Sequence, residues 1–153
     1  MSEISSAPQA SDPQRQRWMS VLAQASATDV ATALSTHRSG TDWSRLRGPE
    51  TGLVMVRGRA GGTGQRFNVG EMTVTRCSVR LDDGTVGHAW VAGRNRDHAE
   101  QAAVLDAILQ RTPDLVPAIV EPLARQREAS RELTARKAAA TRVDFFTLVR
   151  GED

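Results

Sequence analysis

The N-terminal quarter of the chain has the apolar spacing of amphipathic helices. Three apolar residues recur at i, i+4 and i+7, which places them on one helical face: Trp18, Leu22 and Ala25. We expect this helix to begin at residues 12–13, where an aspartate that can cap precedes a proline at the first helical position. A second helix, capped by Thr28 and ending near His37, would complete a helical region over residues 12–38. The polar tail before it, residues 1–11, is expected to be disordered.

Between residues 50 and 92 the pattern changes to apolar runs separated by turn residues. The runs predict strands at residues 53–56, 72–81 and 85–92. Asp82-Asp83-Gly84 favours a hairpin between the last two, because Asp-Gly tolerates the positive φ angles of tight turns. A glycine-rich loop over residues 58–64 follows the first run, and residues 43–49 are predicted to be a connector. The predicted sheet is an antiparallel meander of three or four strands.

Helical spacing returns after the sheet. Asp97 and Glu100 fit a capping box, and the helix after them carries an apolar stripe made of Ala102, Leu105 and Leu109. Residues 97–140 are expected to be helical, with a polar second part, and residues 141–153 to form a docking segment. The predicted fold class is therefore α+β, a small antiparallel sheet flanked by N-terminal and C-terminal helices in a single domain over residues 12–153.

Composition and charge exclude several classes of protein. The longest uncharged run has 11 residues, too short to cross a bilayer, and the N-terminus lacks a basic start followed by an apolar stretch. One cysteine excludes an internal disulfide framework and a zinc site built on several thiolates. These observations favour a cytoplasmic protein that binds no membrane and no metal. Leu, Ile, Val and Phe together number only 31 of the 153 residues, so we also expect a thin core.

The basic residues are concentrated in the middle of the chain. Residues 45–96 contain nine arginines and four acidic residues, a net charge of +5. Aromatic residues on which bases could stack are scarce there, so a nucleic-acid partner is disfavoured. The glycine-rich loop lies in this region, between Arg57 and Arg66. Its residues Arg59, Gly61, Gly62 and Gly64 could contact a phosphate, a substrate or a partner, because glycines let backbone N–H groups approach an anion. A mobile hairpin loop remains the alternative, since no Walker or dinucleotide motif is present.

The sequence contains no complete catalytic set. His98 and Glu100 are weak candidates for an acid or base, since two residues apart on a helix they do not share a face. Glu100 is explained by capping, and Cys77, in the middle of a predicted strand, by burial as an inert thiol. Near the C-terminus, Phe145 and Phe146 predict docking, either on the protein's own core or on another subunit.

Five segments resemble the PhnG family, the G subunit of the bacterial carbon–phosphorus lyase system. They are RWMSVLA, ETGLVMVRGRAGGTG, TVTRCSVRLDDG, GRNRDHAEQAAVLDAILQ and TRVDFFTLVRG, spread in order over about residues 17–152. Their family elements contain Arg59, Gly61, Gly62, Gly64, Arg76, His98, Glu100, Arg142, Asp144, Phe145 and Phe146. Arg76 is thereby added to the candidate phosphate or partner contacts, and Arg142 and Asp144 to the docking segment as polar partner contacts.

The resemblance implies a subunit that is inactive alone. With the H, I and L subunits, it would support displacement of adenine from ATP by an alkylphosphonate, giving α-D-ribose 1-methylphosphonate 5-triphosphate. It implies a core complex with the H, I and J subunits, two copies of this chain per complex, and the I subunit as the direct partner. No cofactor is expected on this chain, and ATP would be a substrate of the complex. The alternative is a purely structural scaffold with no residue at the reaction site.

Overall fold

The computed structural model describes residues 13–38 and 40–141. This part of the chain folds into α-helices and one antiparallel sheet with strand order β1–β2–β3. The elements are α1 (Pro13–Gln24), α2 (Ala27–His37), β1 (Trp43–Arg59), β2 (Arg66–Leu81), β3 (Val86–Ala92), α3 (Arg96–Arg111) and α4 (Val116–Ala140). The predicted α+β class is confirmed, and the predicted meander of three or four strands has three strands in the described residues. The predicted tail and almost all of the docking segment, residues 142–153, lie outside the described residues.

Two of the predicted helix caps are wrong. α2 is capped by Ser26, whose side chain accepts a hydrogen bond from the Asp29 N–H at 3.1 Å, and not by Thr28. α3 is capped by Asn95, which accepts from the His98 N–H at 2.9 Å, so the predicted capping box with Glu100 does not form. In both cases a capping residue earlier in the chain starts the helix. The predicted end of α2 at His37 is confirmed. α1 is described from Pro13 onwards, and its predicted cap at residue 12 lies outside the described residues.

The first strand is much longer than predicted. Residues 43–49, expected to be a connector, form the start of β1 and pair with the end of β2, from Trp43 opposite Leu81 to Arg47 opposite Ser78. Irregularities in the register interrupt this pairing on either side of Arg47. In this segment the apolar Trp43 and Leu46 are isolated among polar residues, glycine and proline, so it lacks the apolar run by which a strand is normally predicted; pairing with β2 holds it extended.

One face of the sheet packs against helix α3. Eight consecutive residues of α3, Ala102–Leu109, are buried, and the buried positions of β3 alternate with exposed ones. A Cβ atom at Gly87 of β3 would overlap the Ala103 carbonyl oxygen of α3, so this strand approaches the helix as closely as backbone allows. Helices α1, α2 and the first turns of α4 complete the core. The core therefore lies on one side of the sheet.

The β1–β2 hairpin extends well beyond β3. β3 pairs only with residues 74–80 of β2, so residues 53–59 and 66–73, here called the arm, form two strands without a third. No residue from 42 to 73 is buried. Large apolar side chains are nonetheless exposed along the arm: Leu53, Met55, Val56, Phe67, Val69 and Met72. At about 3.3 Å per residue, the arm projects roughly 25 Å from the last row of the three-stranded sheet.

Helix α4 is buried only at its beginning. Its buried residues are Val116, Ile119, Val120 and Leu123, and residues 128–141 are all exposed. This agrees with the weak apolar stripe in its sequence. Among the described residues, no helix combines the length and apolar character needed to span a membrane.

Candidate functional site

The tip of the arm gathers three arginines around one shallow cavity. Arg57, Arg59 and Arg66 line about 480 Å³ of space together with Gly58 and Gly62. Arg59 lies opposite Arg66 in the strand register, and its guanidinium donates a 3.3 Å hydrogen bond to the Gly64 carbonyl. The loop expected here is thus the turn of a hairpin, closed by a single 3-10 turn over Ala60–Gly62. Its charge makes the arm tip a candidate anion site.

Arg76 lies in a different place, on the face of the sheet that the helices leave open. Its guanidinium donates to Glu50 Oε2 at 3.1 and 3.3 Å and lies 5.5 Å from the ring centroid of Trp90. A cavity of about 250 Å³ adjoins these three side chains. Arg76 is ten residues from Arg66 along β2, or about 33 Å in an extended strand. The structure therefore does not bring the predicted loop contacts and Arg76 into one site.

Glu100 forms an ion pair with the beginning of β1. Its carboxylate accepts from Arg45 at 3.0 and 2.7 Å and from the Trp43 indole at 3.1 Å. The hydrogen bonds from Arg45 hold the pKa of Glu100 below its usual range, against the opposing effect of burial. This carboxylate is engaged in linking α3 to the sheet, and it stays a candidate base only as a prediction.

His98 lies in the core between two helices. Its side chain is buried, and Nε2 donates a 2.8 Å hydrogen bond to the Leu22 carbonyl near the end of α1. This contact joins α3 to α1 and accounts for a histidine at this position. A role as acid or base likewise stays a prediction.

Cys77 is buried at the interface between the sheet and α3, as expected. Its thiol donates to the Arg47 carbonyl at 3.3 Å, and burial raises its pKa above the usual value. A thiol kept protonated is a poor nucleophile. In the part of the chain that the structure describes, no group of three or more His, Cys, Asp or Glu side chains could hold a metal ion.

Asp106 organises a buried polar cluster that sequence reasoning missed. Its carboxylate is fully buried in α3 and accepts hydrogen bonds from Arg15 and Trp18 of α1 at 2.8 Å and from the His88 backbone N–H of β3 at 2.9 Å. Gln110 donates both to Asp106 and to the Val86 carbonyl, at 3.1 and 2.9 Å. The sequence did contain a signal for this cluster: an aspartate lies inside the apolar run Val104–Leu109, and a buried carboxylate needs hydrogen-bonding or charged partners. This cluster ties α1, α3 and the edge of β3 together.

A comparison with protein families decides what kind of chain this is. The family model described as "Phosphonate metabolism protein PhnG" matches residues 13–151. The chain belongs to the PhnG family. It is also 44% identical over 142 residues to the "Alpha-D-ribose 1-methylphosphonate 5-triphosphate synthase subunit PhnG" of Rhizobium meliloti (strain 1021), an alignment that covers 92% of this chain and 91% of the relative. Membership in PhnG, inferred above from five segments, is confirmed.

The PhnG match spans every element described here. The arm, the Asp106 cluster and the ion pair of Glu100 all lie within the matched residues. Of the candidate partner contacts, Arg142, Asp144, Phe145 and Phe146 lie within the matched range but outside the described residues. Their predicted docking role stays a prediction.

Proposed function

We propose that this chain is an obligatory subunit of an α-D-ribose 1-methylphosphonate 5-triphosphate synthase. Together with the H, I and L subunits, it would enable an alkylphosphonate to displace adenine from ATP. A phosphonate oxygen would bond to the anomeric carbon of ribose as the bond from that carbon to adenine breaks. The observation that carries the proposal is the 44% identity over nearly the full length of both chains to a relative named as a subunit of that synthase.

The proposal assigns the bond-breaking chemistry to partner subunits. Both candidate acid–base residues are engaged in internal contacts, His98 with the Leu22 carbonyl and Glu100 with Arg45. We therefore expect the isolated chain to be inactive, to bind no cofactor, and to meet ATP only as a substrate of the complex. The wider assembly would be a cytoplasmic core with the H, I and J subunits and two copies of this chain.

Contact with the I subunit is proposed for two regions. The exposed apolar side chains of the arm, such as Leu53 and Met55, are 62% and 52% exposed, and a partner would remove this area from water. Phe145 and Phe146, oriented by Arg142 and Asp144, would provide a second anchor near the C-terminus.

Reconstitution from purified subunits tests the role in the synthase. The H, I and L subunits are supplied with ATP and methylphosphonate, with and without this chain, and adenine release and the new phosphonate ester are measured. We expect no product from the chain alone, none without it, and product when all four are present. Turnover by the lone chain, or equal turnover without it, would contradict the proposal.

A second candidate is a purely structural scaffold, favoured by the inward-facing contacts of His98 and Glu100. Arg59→Ala and Arg76→Ala distinguish it from a subunit that contacts substrate. Arg94→Ala is the control, because Arg94 is an exposed arginine outside the arm. If either test variant assembles normally and loses adenine release while the control keeps it, pure scaffolding is excluded. If all three retain activity, the scaffold is supported.

A further inference from the structure

The arginines of the arm tip differ from most others near the sheet and core because no carboxylate compensates them. Among the described residues, arginines around the core have acidic partners in the pairs Arg15–Asp106, Arg17–Glu121, Arg45–Glu100, Arg76–Glu50 and Arg111–Asp82. Arg57, Arg59 and Arg66 form no ion pair with any described residue, although they line one cavity. Like charges that face each other across two strands are destabilising. What sets these three arginines apart is that they line one cavity together, and this gathering favours a compensating anion from outside the described chain.

The shape of the tip favours a small anion with several charges. The cavity is lined by three guanidinium groups and two glycines, with no acidic and no aromatic side chain. It therefore offers positive charge and no aromatic surface on which a base could stack. Guanidinium forks pair with two oxygens at once, so three of them match a chain of linked phosphates better than a single carboxylate.

The backbone at the tip leaves room for such an anion. Gly61 and Gly62 have φ angles of 59° and 79°, a conformation that side chains with a Cβ atom adopt only rarely. No atom lies within 4 Å of where a Cβ would stand at either glycine. The turn thus carries no side chain and no packed neighbour at these two positions, and a phosphate oxygen can approach its peptide groups.

We propose that the arm tip, through Arg57, Arg59 and Arg66, is an oligophosphate-binding site. This site deepens the proposed function. It rests on that function only for the expectation that the bound phosphates belong to a nucleotide substrate. The two proposals can fail separately, because direct binding tests this site and adenine release tests the role in the synthase.

Calorimetric titration of the full-length chain with inorganic tripolyphosphate tests the site. We expect binding at low salt that weakens from tripolyphosphate to pyrophosphate to orthophosphate, because fewer guanidinium groups are engaged. Arg57→Gln combined with Arg66→Gln should weaken tripolyphosphate binding by at least about tenfold. Circular dichroism should show an unchanged fold, since both residues are exposed.

The matched control is Arg94→Gln combined with Arg96→Gln, which removes the same charge from exposed positions outside the arm. It should leave the affinity for tripolyphosphate within about twofold of the parent. Because both double variants remove the same charge, a loss of affinity confined to the arm-tip variant cannot come from the general field of the protein. Equal loss in both double variants would overturn the site, and so would an absence of binding by the parent chain. If the parent chain fails to bind tripolyphosphate and the arm-tip variant no longer co-purifies with the partner subunits, the compensating anion is an acidic protein surface and the oligophosphate site is rejected.

Discussion

Replacing Asp106 with asparagine is expected to destabilise the fold severely while leaving the shape of the side chain almost unchanged. In the native cluster, Oδ1 accepts from the Trp18 indole at 2.8 Å, and Oδ2 accepts from the His88 backbone N–H at 2.9 Å. The guanidinium of Arg15 donates to both oxygens, at 3.2 and 2.8 Å. An asparagine has one oxygen and one NH₂ group. Whichever way it points, at least one buried donor faces another donor.

The magnitude follows from burial. A buried donor left without an acceptor costs about 1–3 kcal/mol, and breaking a buried ion pair costs about 3–5 kcal/mol. Arg15 keeps 23% of its side chain exposed, so it can regain water, which favours the lower end of that range. We expect Asp106→Asn to reduce the free energy of unfolding by about 3 kcal/mol. For a chain of this size, that corresponds to a fall in Tm on the order of 10 °C.

Urea and thermal unfolding, followed by circular dichroism, measure this loss. Asp114→Asn serves as the control because Asp114 is exposed and its side chain forms no hydrogen bond or ion pair with any described residue. The control should stay within about 0.5 kcal/mol of the parent. If Asp106→Asn does too, the cluster contributes little to stability and its role has been misjudged.

Two further predictions concern the packing of α3. Gly87→Ala should destabilise the protein by several kcal/mol in urea unfolding, because its Cβ would overlap the Ala103 carbonyl. The control is Gly48→Ala, where the added atom meets nothing within 4 Å and stability should not fall. Equal urea midpoints for the two variants would refute the close approach of β3 to α3. The lowered pKa of Glu100 means that its pair with Arg45 stabilises the fold above the unfolded pKa of this carboxyl and that this contribution is lost as the pH falls through the folded pKa. The gap in unfolding free energy between the parent and Glu100→Gln should therefore be present at neutral pH and shrink below the usual range of glutamate; a gap independent of pH would contradict this.

Features set by neighbouring residues could be predicted from the sequence. Asp82-Asp83-Gly84 specifies its hairpin turn locally, and Gly84 has the expected positive φ of 92°. The cap predictions were wrong because Ser26 and Asn95, the observed caps, lie two residues before the predicted ones. Residue type alone does not distinguish between two suitable capping residues so close together. The start of β1 was not predicted because this segment has no apolar run and is held extended by β2, whose paired residues lie 31 to 38 positions further along the chain.

The sequence predicted which residues could form the candidate site better than it predicted where those residues lie relative to one another. The sequence identified the arginines and glycines of the loop because their types suit an anion. It could not show that Arg76 lies about 33 Å away along the same strand, since this depends on the uninterrupted length of β2. Asp106 was missed because its role depends on contacts with Arg15 and Trp18, which are distant in sequence.

The arm has a consequence for how this domain can vary. Because no residue from 42 to 73 is buried, the core places no limit on how far the hairpin extends. Adding two residues to each strand would preserve the alternation of side chains and carry the turn about 7 Å further out. Removing two from each would retract it by the same distance. The distance from the core to the turn can thus change without disturbing the core. Homologous chains could reach partner surfaces at different distances by lengthening or shortening this one hairpin.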